Sequence, residues 1–284
     1  SVVAGNSRHL MLAWQAAIDI CLSETPQNLK AYNVAINACG KGSQWQLAVF
    51  LFDELQVKTL QPDMVTWNSM ISSCRGKQWF LALELLDELL LDNWPVDVIT
   101  FGAAIRACES VTWQIALILL SQMQSHSLQS NVIVHNSALA ALSKAGEWER
   151  ALCWLQSMKE EQMACTNVSY NTAITACARS AEWIQAILLL NSFEARVPAD
   201  IISYNAAINA CEDGGMWEVA LQLLGQLHKN SLQRSIITSG SLISTCARGS
   251  QWQLAMRFLQ DLPLLALQAS LISFNAALMA CERS

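Results

Sequence analysis

The sequence predicts an all-α solenoid built from helix-turn-helix repeats of about 35 residues. Three observations carry that reading. The first is a fixed period: Asn33, Asn68, Gly102, Asn136, Asn171, Asn205, Gly240 and Asn275 hold one place in successive copies of a single pattern, at steps of 35, 34, 34, 35, 34, 35 and 35 residues. Regularity of that kind marks a repeat array. The second is a pair of helical apolar stripes inside each copy, and the third is the lack of alternating strand patterns.

Taken in order, residues 1–28 read as a degenerate leading unit, because Trp14 and Ala17 match the tryptophan–alanine step of later copies across a shorter loop. Full units follow at 29–63, 64–97, 98–131, 132–166, 167–200, 201–235 and 236–270, with the first helix of a truncated unit at 271–284. In the clearest copy Tyr204, Ala207, Ile208 and Cys211 fall at i, i+3, i+4 and i+7, one face of a helix. Glu212-Asp213-Gly214-Gly215 ends it, since glycine accepts a left-handed cap without penalty. A second helix starts near Trp217 and is expected to bury Ala220, Leu221, Leu224 and Leu227. The alanine three residues after the tryptophan recurs as Ala48, Ala82, Ala116, Ala151, Ala186, Ala220 and Ala255, where a methyl lets two helices approach closely. Prolines are expected only at unit boundaries and late loops, as at Pro62, Pro95 and Pro198, where they interrupt no helix. Neither helix can bury its stripe alone, so pairs must stack, the array must curve, and one helix of each pair lines a concave groove.

Composition narrows the function. The chain is 53% apolar and 14% charged, which argues against disorder. Its net charge of −6 lacks the basic balance that marks many nucleic-acid binders. Seven of the ten cysteines (Cys39, Cys74, Cys108, Cys177, Cys211, Cys246 and Cys281) lie six residues after the periodic position, with no CxxC pair, so they read as small buried residues in a reducing compartment. His9, His126, His135 and His228 are scattered and read as surface or loop residues, and the recurring tryptophans read as helix-packing residues. The longest uncharged runs, Val111–Ser143 and Leu262–Ala280, are broken by polar residues and suit no bilayer core. The start without methionine and the stop one helix into a unit suggest a fragment of a longer protein, with no signal or transit pattern visible. No GxxxxGK loop, HxE…CxxC pattern or catalytic carboxylate pair is present, so no enzymatic activity, metal or cofactor is expected.

The copies VTWNSMISSC, VSYNTAITAC and ISYNAAINAC, each followed by WxxAxxLL, resemble the pentatricopeptide repeat family over residues 29–284. The resemblance implies a right-handed superhelical α-solenoid that binds single-stranded RNA in a mitochondrion or chloroplast, one base per repeat, acting in RNA processing, stability, editing or translation. It implies a monomer with pyrimidine-rich RNA as partner, other RNA-processing proteins as further partners, and no membrane. The base-facing residues would be the periodic residue of each unit and the unit's last residue. A carboxylate there can accept from uridine N3–H, and a serine hydroxyl can donate to the cytidine nitrogen. Asn33/Asp63, Asn68/Asp97 and Asn171/Asp200 then resemble uridine readers, Asn205/Ser235 a cytidine reader and Asn136/Thr166 a pyrimidine reader. Gly102/Asn131 and Gly240/Ser270 depart from the family pattern, because glycine has no side chain to read a base edge; Gly102/Asn131 is assigned adenine by analogy. Asn275 begins a further pair. The implied core is 5′-UU(A)YUC-3′.

By the same resemblance Val65, Ile99, Ile133, Val168, Ile202, Ile237 and Ile272, second in their units, would sandwich neighbouring bases, unless they merely pack between helices. Lys41, Lys144, Arg179, Arg248 and Arg283 lie eight residues after the periodic position and Arg75 seven after it, a stripe that would track phosphate and is interrupted by Glu109 and Asp213. The rival reading is a protein-interaction scaffold that takes a peptide or partner helix in its groove, a reading favoured by the acidic balance and the two glycines.

Overall fold

The computed structural model describes residues 29–42, 44–76, 78–109, 112–194, 198–264 and 271–282, and among them it holds fifteen helices and no strand. First helices are α1 (Leu29–Lys41), α3 (Met64–Ser73), α5 (Val98–Cys108), α7 (Val132–Ala145), α9 (Asn167–Arg179), α11 (Ile201–Ala210), α13 (Ile236–Arg248) and α15 (Leu271–Glu282). Second helices are α2 (Trp45–Val57), α4 (Trp79–Leu91), α6 (Trp113–Ser125), α8 (Trp148–Glu160), α10 (Trp183–Glu194), α12 (Trp217–Lys229) and α14 (Trp252–Leu264). The expected leading unit at 1–28 lies outside the described residues.

Two compact units divide the chain at residues 141 and 142, within α7. In the first unit α1 packs on α3 and α3 on α5, while α2 and α4 each rest on their own first helix and on the next one. In the second, α9, α11, α13 and α15 pack in succession, with α10, α12 and α14 seated between neighbours in the same way. This is the arrangement that amphipathic helix pairs need in order to cover their stripes.

Local signals explain each boundary. Asp63, Asp97, Asp200 and Ser235 are N-caps whose side chains accept from the backbone N–H three residues on, at 2.8, 2.9, 2.9 and 3.2 Å. Every second helix begins at the recurring tryptophan. Five of them (α2, α4, α6, α8 and α12) end at a left-handed residue that is not glycine: Thr59, Asn93, Ser127, Gln162 and Ser231, at φ 54 to 58°. After α2, Thr59 N–H bonds Gln56 O and Leu60 N–H bonds Leu55 O, the paired closure of a Schellman motif.

The periodic small residues lie in the core beside larger side chains such as Tyr32, Phe101, Leu55 and Tyr204. All seven alanines after the tryptophans are no more than 1% exposed, and so are Cys39, Cys74, Cys108, Cys177, Cys211 and Cys246. Burial pushes the thiols of Cys108, Cys177, Cys211 and Cys246 up to about 11, so they stay protonated and inert.

Four expectations are corrected. Cys281 is exposed in α15, unlike its six counterparts. His135 is not a surface residue: it is buried in the place held by Tyr32, Trp67, Phe101, Tyr170 and Tyr204 in other units, and its Nε2 lies 2.8 Å from Ser130 Oγ. Pro263 sits inside α14, in its last turn, where it costs the helix the one bond that its missing N–H cannot make. On α12, which packs on α11 and α13, Leu223 is buried with Ala220, Leu224 and Leu227, whereas Leu221 is only half-buried.

Candidate nucleic-acid interface

Three positions recur around the first turns of the first helices. The N-cap begins the helix, and the second and fifth residues of the unit stand three apart, on one helical face. Asn33 Nδ2 donates to Oδ1 of Asp63, the cap of the next first helix, at 3.1 Å, Asn171 Nδ2 to Asp200 Oδ1 at 3.1 Å, and Asn205 Nδ2 to Ser235 Oγ at 3.5 Å. These three bonds join residues 29 or 30 positions apart in sequence.

A hydroxyl completes each junction. Thr66 Oγ1, Ser203 Oγ and Thr238 Oγ1 lie 2.6, 2.5 and 2.6 Å from the Oδ1 of Asn33, Asn171 and Asn205. In the aspartate junctions Oδ1 is the shared acceptor: Asp63 Oδ1 accepts from Thr66 N–H at 2.8 Å and from the Asn33 amide at 3.1 Å, and it also lies 2.8 Å from Thr66 Oγ1. Burial alone would raise the carboxyls of Asp63 and Asp200. The bonds from Thr66 and Asn33, and from Ser203 and Asn171, outweigh it and hold both below the ordinary value of 3.8. The carboxylates are thus ionised acceptors at neutral pH.

Beside these junctions stand aliphatic side chains with no helix over them. Val65, Ile99, Ile133, Val168, Ile202 and Ile237 are 58 to 67% exposed, so inter-helix packing does not account for them. The Ile272 side chain lies outside the described residues. A polar edge-reader three residues from a bare aliphatic face can bond one edge of a planar heterocycle while covering its flat side.

Other sequence-predicted pairs differ. Asp97 Oδ1 accepts from Thr100 N–H and hydroxyl at 2.9 and 2.8 Å, whereas Asn68 Oδ1 is buried and finds no hydrogen-bond partner among the described residues. Gly102 is buried, and a Cβ there would stand 3.2 Å from Val134 Cγ2; Asn131 caps α7 through Val134 N–H at 3.0 Å. Gly240 is roomier, with Ser273 Oγ 3.9 Å from the Cβ position. Asn136 is half-buried on α7, Thr166 begins α9 with its N–H on Ser169 Oγ at 3.2 Å, and Asn275 is exposed on α15. Ser270 and Arg283 lie outside the described residues.

The cations separate into three environments. Lys41 and Arg75 line one cavity of about 270 Å³ with Arg106, Asn37, Gly40 and serines 69, 72 and 73. Burial works against the charge of Arg75 and neighbouring Arg106 adds repulsion, partly countered by Glu109. An oxyanion would relieve that repulsion. Arg248 lines a cavity of about 210 Å³ but is bound to Asp213 at 2.8 Å and to Glu212 at 3.7 Å. Lys144 and Arg179 are exposed, and Arg179 Nη1 donates to the Lys144 carbonyl at 3.4 Å.

Two features escaped sequence reasoning. The residues assigned to bases at the ends of units are also N-caps, a role written in the recurring pattern Asp63-x-x-Thr66, Asp97-x-x-Thr100, Asp200-x-x-Ser203 and Ser235-x-x-Thr238. Arg106 stands four residues after Gly102, not eight, so its proximity to Arg75 is visible only once α3 and α5 are packed.

The PPR repeat family model matches residues 27–76 and 130–179, and the PPR repeat model matches residues 65–93, 168–196 and 202–232. No curated protein sequence matches the chain. Among solved structures it is similar to the pentatricopeptide repeat protein PPR10 from maize, at 20% identity and a TM-score of 0.72, covering 96% of this chain and 40% of that one. It is also similar to PPR10 in complex with an 18-nucleotide psaJ RNA element, at 18% identity and a TM-score of 0.59, covering 94% of this chain and 44% of that one. The chain therefore spans about two fifths of the length of the structures it matches.

Proposed function

We propose, for a chain that belongs to the pentatricopeptide repeat family, that it binds single-stranded RNA and reads one base with each asparagine–cap junction. The carrying observation is the recurrence of one junction, asparagine amide to cap oxygen, in both compact units. Each Asn Nδ2 spends one proton on the cap and keeps one for a base; each aspartate keeps an acceptor for N3–H of uridine. The exposed aliphatics cover the base faces, and Lys41, Arg75, Arg106, Lys144 and Arg179 meet phosphates. Asn33/Asp63, Asn68/Asp97 and Asn171/Asp200 select uridine, Asn205/Ser235 selects cytidine and Asn136/Thr166 a pyrimidine. The RNA is pyrimidine-rich, and the process served is organellar RNA processing, stability, editing or translation. PPR10, crystallised with an RNA element, supports this use of the fold.

Asp200→Ser tests it cleanly, because serine replaces aspartate as an N-cap with little loss of helix stability. Preference at the one base facing Asn171 should move from uridine toward cytidine by about 1–3 kcal/mol, as for other base-edge contacts. RNA selectivity that does not move at that base would refute the assigned pair.

A further inference from the structure

The asparagine is not a reader on its own, because its amide can present nitrogen or oxygen to a base according to how it is turned. The structure shows what turns it. Backbone N–H groups of Asp63, Asp200 and Ser235 lie 3.2, 3.3 and 3.2 Å from the hydroxyl oxygens of Thr66, Ser203 and Thr238. A backbone N–H can only donate, so each hydroxyl oxygen accepts that bond and directs its own O–H to another acceptor. The nearest acceptor is the asparagine Oδ1 in each junction, at 2.5 to 2.6 Å, closer than the cap oxygen at 2.8 to 3.0 Å.

We infer that the third-residue hydroxyl of the following repeat is a positioning residue for base selection, holding the asparagine Oδ1 so that Nδ2 faces the cap and the base. This rests on the RNA-reading function proposed above. The dependence is unequal between junctions. In Asn33/Asp63 and Asn171/Asp200 a carboxylate that can only accept also pulls Nδ2 toward itself, so orientation is set from both sides. Ser235 Oγ can donate or accept, and it lies 3.5 Å from Asn205 Nδ2, so there the orientation hangs on Thr238 alone.

The same rule separates the two glycine repeats. Gly102 faces Val134, which has no hydroxyl, and a Cβ would crowd Val134 Cγ2 at 3.2 Å. Gly240 faces Ser273, whose Oγ is 3.9 Å from the Cβ position, an ordinary contact. Asparagine introduced at 240 would meet a hydroxyl, and asparagine at 102 would not.

The test uses the whole chain and RNAs that differ at single bases. Thr238→Val should reduce selectivity at the base facing Asn205 at least fivefold toward none while the neighbouring base facing Asn171 keeps its preference, and Thr238→Ser should restore it. Thr66→Val removes an equally buried hydroxyl beside Asp63 and should leave its uridine preference within about twofold, since the carboxylate still orients the amide. Adding Ser235→Asp to Thr238→Val should bring selectivity back, now for uridine. Thr238→Ala serves if the valine variant fails to fold. Equal loss in Thr66→Val and Thr238→Val, or full selectivity in Thr238→Val, overturns the inference while leaving RNA reading intact. A wild-type chain that binds RNA without discriminating at these bases, or does not bind, overturns the reading and the inference together.

Discussion

Arg106→Ala offers the sharpest view of the electrostatics, because its counterpart Arg248 sits in a similar cavity with opposite surroundings. Arg106 shares its cavity with Lys41 and Arg75, and Arg75 already feels its repulsion. Arg248 is held by Asp213 at 2.8 Å and Glu212 at 3.7 Å, so a phosphate arriving there would have to displace carboxylates. Each phosphate contact on a single strand adds about 0.7 to the slope of log affinity against log salt. Losing one contact therefore means that a fourfold rise in salt costs the variant about 2.6-fold less affinity than it costs the wild type. Fluorescence anisotropy with a labelled pyrimidine strand at 50 to 200 mM salt, about the range over which such slopes are measured, reads this directly. Arg106→Ala should flatten the slope by about 0.7 and weaken all strands alike, while Arg248→Ala leaves it unchanged. An Arg248→Ala slope that flattens as much as that of Arg106→Ala would refute the argument that ion pairing decides which cations meet RNA.

Two further predictions concern the scaffold. A Cβ at Gly249 would stand 2.6 Å from Trp217 Cδ1 and 2.8 Å from Gly215 O, so Gly249→Ala should lower stability in urea unfolding by about 1–3 kcal/mol, and a change below about 0.5 kcal/mol would mean the tryptophan is not packed there. The depressed carboxyls of Asp63 and Asp200 contribute stability that is fully present above the ordinary 3.8 and lost as pH falls through their lower folded values. The stability gap between wild type and Asp200→Ser should therefore hold constant from about pH 8 to pH 5 and begin to change only near and below 3.8; a gap that changes at neutral pH would contradict the assigned ionisation.

The repeat was legible because its signals are local: the steps of 34 or 35 residues, the alanine after each tryptophan and the glycines at 214 and 215 each follow from one helix pair. What was hidden depends on neighbours. Asp63 reads as a base contact or as a cap from sequence alone, and only the packed repeat shows the same Oδ1 serving Thr66 and Asn33. Likewise the left-handed stops at Thr59, Asn93, Ser127, Gln162 and Ser231 carry no glycine to announce them; they follow from the backbone closure on Leu55 and its counterparts. His135 and Cys281 show that single units can break a pattern that most of the others keep.

Direct binding of this chain to an RNA containing UUAUUC, at low and moderate salt, against poly(A) and a duplex, tests the central claim most immediately. Salt-sensitive binding that prefers the pyrimidine strand over both controls is the predicted result. Binding that is absent at low salt, or equal for all three, would contradict it.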